Sequence, residues 1–147
     1  MKGIKKYMGK YKWPLIVVEG IDKVGKTTLH REFDKYVNYK YLTCDRLFLT
    51  YLAYSTRYKR QVEVDSLYKW FEQDNEIIII NVIASEETLL KRFKDTNHKK
   101  INIKKDLRSF EKAILVLSDL GVKIININTE NSKPIESVKE ILKQIEG

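Results

Sequence analysis

The sequence predicts an α/β fold, in which helices cover both faces of a short parallel sheet of about four strands and so form three layers. Strand patterns and helix patterns alternate along the chain, which is typical of parallel strands joined by right-handed helical crossovers. The strand candidates are short apolar runs, as in strands that are buried on both faces. At 147 residues, 43% of them hydrophobic, the chain has the size of one packed domain, and we predict a single domain over residues 1–147.

Five elements are predicted in the first half of the chain. In the order strand, helix, strand, helix and helix, they cover residues 15–19, 25 to about 37, 39–44, 47 to about 60, and 64–74. The first strand, Leu-Ile-Val-Val-Glu, is apolar and is followed at once by a glycine. In the first helix, Leu29 and Phe33 lie four residues apart and therefore share one face.

Five more elements are predicted in the second half. In the order strand, helix, helix, strand and helix, they cover residues 76–83, 85 to about 93, 107–120, 122–128 and 135–145. Ser85 is the expected N-cap of its helix, Gly121 the expected C-terminal glycine, and Pro134 a residue of the last helix's first turn. The intervening residues 94–105 are polar and basic, and we predict a loop there.

The charge of the chain indicates a polyanionic partner. Lys and Arg number 28 against 20 Asp and Glu, a formal net charge of +8. This balance is typical of proteins that bind nucleotides, nucleic acid or a membrane surface, although a lysine-rich soluble surface has the same composition. Residues 1–13 form a basic arm in which lysines alternate with Tyr7, Tyr11 and Trp13, which suits contact with phosphates and bases. A leading strand or tail with solvated lysines is the alternative.

Other site classes are disfavoured by composition. Cys44 is the one cysteine, so no internal disulfide is possible, and the two histidines lie far apart in sequence, which argues against a structural metal. No apolar run approaches the roughly 20 residues of a membrane span, and the apolar run at residues 15–18 is too short for a signal-peptide core. We therefore expect no membrane partner and a cytoplasmic location, the host cytoplasm if the protein is viral.

The strongest motif lies between the first strand and the first helix. Gly-Ile-Asp-Lys-Val-Gly-Lys-Thr, residues 20–27, matches the phosphate-binding P-loop pattern G-x-x-x-x-G-K-[ST] in the context that this pattern requires. Its glycines let backbone N–H groups approach phosphate oxygens, and the following helix adds its positive dipole end. We therefore expect ATP with Mg²⁺ as cofactors and a P-loop NTPase fold. The predicted nucleotide-binding residues are Gly20, Asp22, Lys23, Val24, Gly25, Lys26, Thr27 and Thr28.

Each polar side chain of the motif has an expected task. Lys26 supplies a point charge to the β- and γ-phosphates, Thr27 is a ligand for Mg²⁺, and Thr28 donates to a neighbouring phosphate. The guanine-binding run N-K-x-D of GTPase switches is absent from the sequence, and 147 residues leave little room for the machinery of a motor ATPase. Its small size therefore favours a kinase.

Two segments resemble the thymidylate kinase family. Residues 18–29, Val-Glu-Gly-Ile-Asp-Lys-Val-Gly-Lys-Thr-Thr-Leu, are similar to the family pattern V-E-G-x-D-x-x-G-K-[ST]-T. Residues 45–55 are similar to D-R-[YF]-x-x-S-x-x-A-Y-Q, with Thr50 in place of the serine. Residues 83–92 resemble, more weakly, the helix that leads into the lid of these enzymes. The resemblance touches most of residues 15–145 and implies a minimal thymidylate-kinase-like or deoxynucleoside kinase. The Lys-, Ile- and Asn-rich composition is typical of an AT-rich, phage-like genome.

The resemblance implies catalytic roles beside Lys26. Lys23 would stabilise charge on the transferred phosphoryl group, and Asp45 would act as base or metal partner near Mg²⁺ or the acceptor oxygen. Arg46 would clamp the acceptor phosphate or the transferring group, and Arg92 would belong to a lid over ATP.

It also implies an acceptor side. Asp22 and Arg46 would face the acceptor, and Tyr54 would pack against its deoxyribose. The short segment at residues 94–105 would be the lid, to which Lys94, Lys99 and Lys100 would belong. Thymidylate kinases are commonly dimers through helix packing, so the helix over residues 47–60 would serve a homodimer or else belong to the core.

The acceptor side departs from the family pattern. About 18 residues separate Lys26 from Asp45, where thymidylate kinases carry a further strand and a helical acceptor-binding segment, and Ser55 replaces the glutamine beside the base. Three hypotheses follow. The first is transfer of the γ-phosphoryl group of ATP to a deoxynucleotide or deoxynucleoside, and the second is transfer to a hydroxyl of DNA or RNA, at a strand end or a hydroxymethylated base. The third is a non-catalytic nucleotide-binding protein.

Overall fold

The computed structural model describes residues 14–60, 69 and 76–147, which form four strands and five helices. In chain order these are β1 (Leu15–Glu19), α1 (Lys26–Tyr36), β2 (Thr43–Asp45), α2 (Phe48–Arg57), β3 (Ile77–Ile83), α3 (Glu86–Arg92), α4 (Lys100–Asp119), β4 (Lys123–Asn128) and α5 (Pro134–Glu146). The basic arm over residues 1–13 and the helix predicted over residues 64–74 lie outside the described residues.

The four strands form one parallel sheet in the order β2-β1-β3-β4. Val17 of β1 lies in register with Cys44 of β2 on one side and with Ile79 of β3 on the other. Ile80 of β3 pairs with Ile125 of β4. Both central strands are buried almost throughout, which explains their continuous apolar sequence. The predicted α/β class with a four-stranded parallel sheet is confirmed.

Helices cover both faces of this sheet. Successive side chains of a strand point to opposite faces. The carboxylate of Glu19 bonds to the first turn of α2, whereas Thr43, in register with Ile16, bonds to His30 and Asp34 of α1. The helices α1 and α2 therefore lie on opposite faces, α1 packing with α5 and α2 with α4. The helix that was predicted over residues 47–60, either for a homodimer or for the core, thus contributes residues to the core. The homodimer stays a prediction.

The loop predicted over residues 94–105 is wrong for its second half, because α4 begins at Lys100. Ile103 is fully buried and Asp106 nearly so, and they share one helical face with Phe110. Two isoleucines two residues apart among lysines, Ile101 and Ile103, gave too weak a helical pattern to predict two further helical turns. The strand predicted over residues 39–44 is also displaced to Thr43–Asp45, because Asn38 and Tyr39 adopt positive φ angles in a turn.

The predicted helix ends are confirmed. The Ser85 hydroxyl accepts a hydrogen bond from the Thr88 N–H at 3.1 Å, which caps α3. Gly121 follows α4 with a φ of 80°, and the Val122 N–H bonds back to the Leu117 carbonyl at 3.1 Å, the pattern of a Schellman motif. Pro134 begins α5. These ends orient the strand termini that carry the polar residues described next.

Candidate functional site

The phosphate-binding motif forms the loop between the carboxyl end of β1 and the amino end of α1. Gly25 is the N-cap of α1 with a φ of 93°, in the left-handed region that glycine adopts freely. The hydroxyl of Thr129, just after β4, donates to the Val24 carbonyl at 2.6 Å and so connects the loop to the end of β4, two strands away from β1 in the sheet. The loop therefore lies where parallel sheets bind ligands, at the carboxyl ends of their strands.

The backbone of this loop is arranged to receive an anion. From Asp22 to Thr28, the N–H groups have no hydrogen-bond partner among the described residues. They lie at the amino end of an eleven-residue helix, whose dipole also favours negative charge. Thr27 and Thr28 are exposed in the first turn of α1, with their hydroxyls open to a ligand. This geometry fits the phosphates of a nucleotide.

Gly20 is required by the close approach of the loop to β3. Its φ is 148°, and an added Cβ would lie 2.7 Å from the Val82 carbonyl oxygen. We expect Gly20→Ala to lower the free energy of unfolding by about 2–3 kcal/mol, through backbone strain and a clash with a rigid strand. Urea unfolding of the two proteins measures this change. The matched control is Gly121→Ala, where the φ is 80° but nothing lies within 4 Å of an added Cβ. A loss at Gly20 no larger than at Gly121 would contradict the close approach.

Lys26 lies under the loop and is only 6% exposed. Its ammonium nitrogen is 3.7 Å from Oδ1 of Asp45, at the end of β2. Burial, and secondly the positive charge of Arg46, lowers the pKa of Lys26, whereas Asp45 and other carboxylates oppose this shift. The ammonium group of Lys26 therefore adds a fixed positive charge to the loop whose N–H groups have no partner among the described residues.

Arg46 connects the end of β2 to the loop. Its guanidinium forms an ion pair with the carboxylate of Asp22. Burial by itself would lower the pKa of Arg46, but the hydrogen bond and charge of Asp22 outweigh it, so the pKa is raised. Arg46 and Lys23 have φ angles of 58° and 68°, a strained conformation for residues with a Cβ. The carbonyl of Lys23 accepts a hydrogen bond from Nη1 of Arg92, at the end of α3, at 2.6 Å. Three elements thus bring cations to the same loop.

Glu19, which the sequence motif contains but to which we assigned no role, organises the start of α2. Its side chain is fully buried and accepts hydrogen bonds from the N–H groups of Leu47, Leu49 and Thr50, at 2.5, 3.2 and 3.0 Å. The Thr50 hydroxyl also donates to it, at 2.5 Å. Burial raises the pKa of Glu19, and these hydrogen bonds oppose the shift. The carboxylate caps α2 from a neighbouring strand and thereby positions Arg46.

A cavity of about 430 Å³ opens beside the loop. It is lined by Ile21, Asp22, Arg46, Tyr54, Tyr58, Arg60, Phe93, His98 and Asp106. Burial and the nearby carboxylates of Asp22 and Asp106 raise the pKa of Tyr54 to about 12, so its hydroxyl is neutral at physiological pH. Ser55, by contrast, is buried and does not line the cavity.

The cavity contains residues that the sequence interpretation missed. Tyr58, Arg60, Phe93, His98 and Asp106 reach it from α2, α3, α4 and the loops between them, and no local pattern connects these segments. The one available signal was the position of Tyr58 four residues after Tyr54, on one face of a predicted helix.

A smaller cavity, of about 190 Å³, lies on the other side of the first turn of α1. Gly25, Thr28 and Arg92 line it together with residues that follow β4, including Thr129 and Pro134. The loop and the first turn of α1 thus contribute lining residues to both cavities.

The structure brings the predicted residues of the loop, Asp45, Arg46, Tyr54 and Arg92 to one end of the sheet. Lys94, Lys99 and Lys100 are exposed and do not line either cavity. Among residues 14–60, 69 and 76–147, no group of three or more His, Cys, Asp or Glu side chains could hold a metal ion by itself. That Thr27 and Asp45 are ligands for Mg²⁺ stays a prediction.

Sheet order, loop and flanking helices define a P-loop NTPase fold. No protein-family model matches the chain, and no curated protein matches its sequence. Among solved structures, the chain is similar to the YorR protein of Bacillus subtilis, crystallised in complex with phosphorylated GDP. The TM-score is 0.74 at 17% sequence identity, and the match covers 90% of this chain and 95% of YorR. The likeness confirms the fold.

A search of the described residues for membrane spans found no helix long and apolar enough to cross a bilayer.

Proposed function

We propose that this protein is an ATP-dependent phosphotransferase that transfers the γ-phosphoryl group of ATP to a deoxynucleotide or deoxynucleoside. One observation carries the proposal: Asp22 belongs to the phosphate-binding loop and also lines the 430 Å³ cavity, with Arg46 beside it. A phosphate donor at the loop and an acceptor in the cavity would meet at these two residues. The nucleotide in the YorR crystal structure supports a nucleotide ligand for this fold.

The proposed chemistry needs few groups. A transferring phosphoryl group requires cations around a dispersed negative charge, and Lys26, Lys23, Arg46 and Arg92 lie in the loop or contact its residues. Asp45 would orient the acceptor hydroxyl or phosphate, or hold Mg²⁺ together with Thr27. When bound with ATP, Mg²⁺ would neutralise charge on the β- and γ-phosphates. Arg92 would close over the donor from α3.

A second candidate, transfer to a hydroxyl of DNA or RNA, is favoured by the rim of the cavity. Tyr58 is 54% exposed, and its ring lies 5.2 Å from the Arg57 guanidinium carbon and 5.5 Å from that of Arg60. An exposed aromatic ring with cations on it is suited to stack against the bases of a single strand.

Transfer of labelled phosphate from γ-labelled ATP, with Mg²⁺, tests both candidates. The acceptors are deoxynucleosides, their monophosphates, and single-stranded DNA and RNA with plain or hydroxymethylated bases. We expect label on a nucleotide or nucleoside, and none when EDTA removes Mg²⁺. Label on polymer alone would establish the second candidate. Bound ATP without transfer to any acceptor would contradict both and indicate a non-catalytic nucleotide-binding protein.

A further inference from the structure

The floor of the 430 Å³ cavity contains a histidine–aspartate pair. Nε2 of His98 lies 3.0 Å from Oδ2 of Asp106, and Nε of Arg57 donates to Oδ1 of the same carboxylate at 3.2 Å. The Asp106 side chain is only 8% exposed, whereas His98 is 31% exposed and lines the cavity. Arg57 therefore fixes the buried aspartate, and the histidine is the member of the pair that a ligand can reach.

This arrangement determines which ring nitrogen of His98 carries the proton. A carboxylate can only accept, so the nitrogen that faces Asp106 must be a donor, and Nε2 carries the hydrogen. In the neutral ring Nδ1 is then a hydrogen-bond acceptor. In the described part of the chain Nδ1 has no partner, since the contact that His98 makes with Thr96 uses its backbone N–H. The cavity thus contains, at His98, an acceptor for which the described residues supply no hydrogen-bond donor.

Three aromatic side chains line the cavity together with His98. Phe93 stacks on the His98 ring, with centroids 4.7 Å apart. From α2, Tyr54 and Tyr58 stack on each other with centroids 5.9 Å apart, and both line the same cavity. The flat rings in this otherwise polar lining favour a planar ligand with polar edges, while Arg46 near the loop favours an anionic group on the same ligand.

We propose that His98 recognises the edge of an acceptor nucleobase by accepting a hydrogen bond from a base N–H at Nδ1. Asp106 is a positioning residue that sets the tautomer and the orientation of the ring. The proposal rests on the proposed function, because it takes the 430 Å³ cavity as the acceptor site. It names the acceptor class as a nucleotide or nucleoside whose base carries an N–H at its hydrogen-bonding edge.

Binding is measured by calorimetry without ATP, so that the result does not depend on catalysis. The probes are the four deoxynucleoside monophosphates and, for the one that binds best, an analogue in which the N–H at the hydrogen-bonding edge of the base is methylated. We expect the wild-type protein to bind the methylated analogue about tenfold or more weakly, because binding would displace water from Nδ1 and leave this acceptor unpaired.

Variants separate recognition from folding. His98→Gln keeps a donor where Nε2 contacts Asp106 but has no acceptor at the Nδ1 position, so it should bind the two probes alike. His98→Asn places an amide oxygen near the Nδ1 position and should retain the preference. In Asp106→Asn, the amide donates to Nε2, which moves the ring hydrogen to Nδ1 and should abolish the preference with His98 still present. His30→Gln is the matched control, because His30 also bonds to an aspartate but lies outside the cavity.

The outcomes distinguish the inference from the function. An undiminished preference in His98→Gln would overturn the role of His98 even if phosphoryl transfer to a nucleotide is observed. The expected pattern of binding without any transfer would support the recognition and overturn the kinase. If the wild-type protein binds none of the four monophosphates, or binds both probes equally, the inference is wrong.

Discussion

Replacing Lys26 with alanine is expected to lower kcat for phosphoryl transfer by about a hundred- to a thousandfold, because it removes a preorganised positive charge from a transition state with little covalent assistance. Lys26 is only 6% exposed, so water has little access to take the place of its charge. Steady-state rates at saturating ATP and acceptor measure the effect.

Lys35→Ala is the matched control for Lys26→Ala. Lys35 is an exposed lysine in the last turn of the same helix, far along α1 from the loop. Its removal should change kcat by less than twofold. A loss of only a few-fold in Lys26→Ala, with the protein still folded, would mean that another cation performs the task we assign to Lys26.

Replacing Glu19 with glutamine is expected to lower the free energy of unfolding by about 2–3 kcal/mol, because buried groups would lose their acceptor. Both carboxylate oxygens of Glu19 accept hydrogen bonds from the start of α2. The amide of a glutamine has one oxygen acceptor only, so its NH₂ group would point at backbone N–H groups of α2 that are themselves donors. Urea unfolding near neutral pH measures the change, and Glu111→Gln, on the exposed face of α4, is the control with an expected change within about 0.5 kcal/mol.

The same residue predicts a pH dependence of stability. Burial raises the pKa of folded Glu19 above its ordinary 4.5, so the native state binds more protons than the unfolded state between these two values. The stability contributed by the protonated group is complete below pH 4.5 and is lost as the pH rises through the folded pKa. Glu19→Gln should remove this part of the pH dependence. If the difference in free energy of unfolding between the two proteins does not vary with pH, the pKa of Glu19 is not raised.

Much of the fold could be predicted because its signals are local. The run of four isoleucines in β3 is apolar enough to identify a strand buried on both faces. Ser85 and Gly121 mark helix ends through hydrogen bonds that span only a few residues. The first half of α4 was missed because its buried residues are spaced among lysines, so only contact with the neighbouring elements reveals which side faces inward.

The candidate site divides in the same way. The phosphate-binding loop is contiguous in sequence, so its residues could be predicted from their spacing, whereas the roles of Asp22 and Lys23 were implied by the resemblance to thymidylate kinases. Arg46 and Asp45 were identified from a second short motif. The partners of these residues come from distant segments: Asp22 with Arg46 across 24 positions, Arg92 with Lys23 across 69. Pairs so far apart in sequence leave no local pattern, so they could be identified only from the tertiary structure.

The sequence by itself determined the α/β class, the parallel sheet and the loop that fits phosphate, because strand periodicity, helix caps and glycine spacing are properties of neighbouring residues. Only the tertiary structure decided what surrounds that loop. It shows that the Glu19 carboxylate caps α2 and that Ser55 is buried in the core. It also shows that His98 and Asp106 line one cavity together with Tyr54. The physical reason is that side chains on separate elements meet through the packing of α2 against α4 and of both against the sheet, and this packing depends on the whole set of buried contacts.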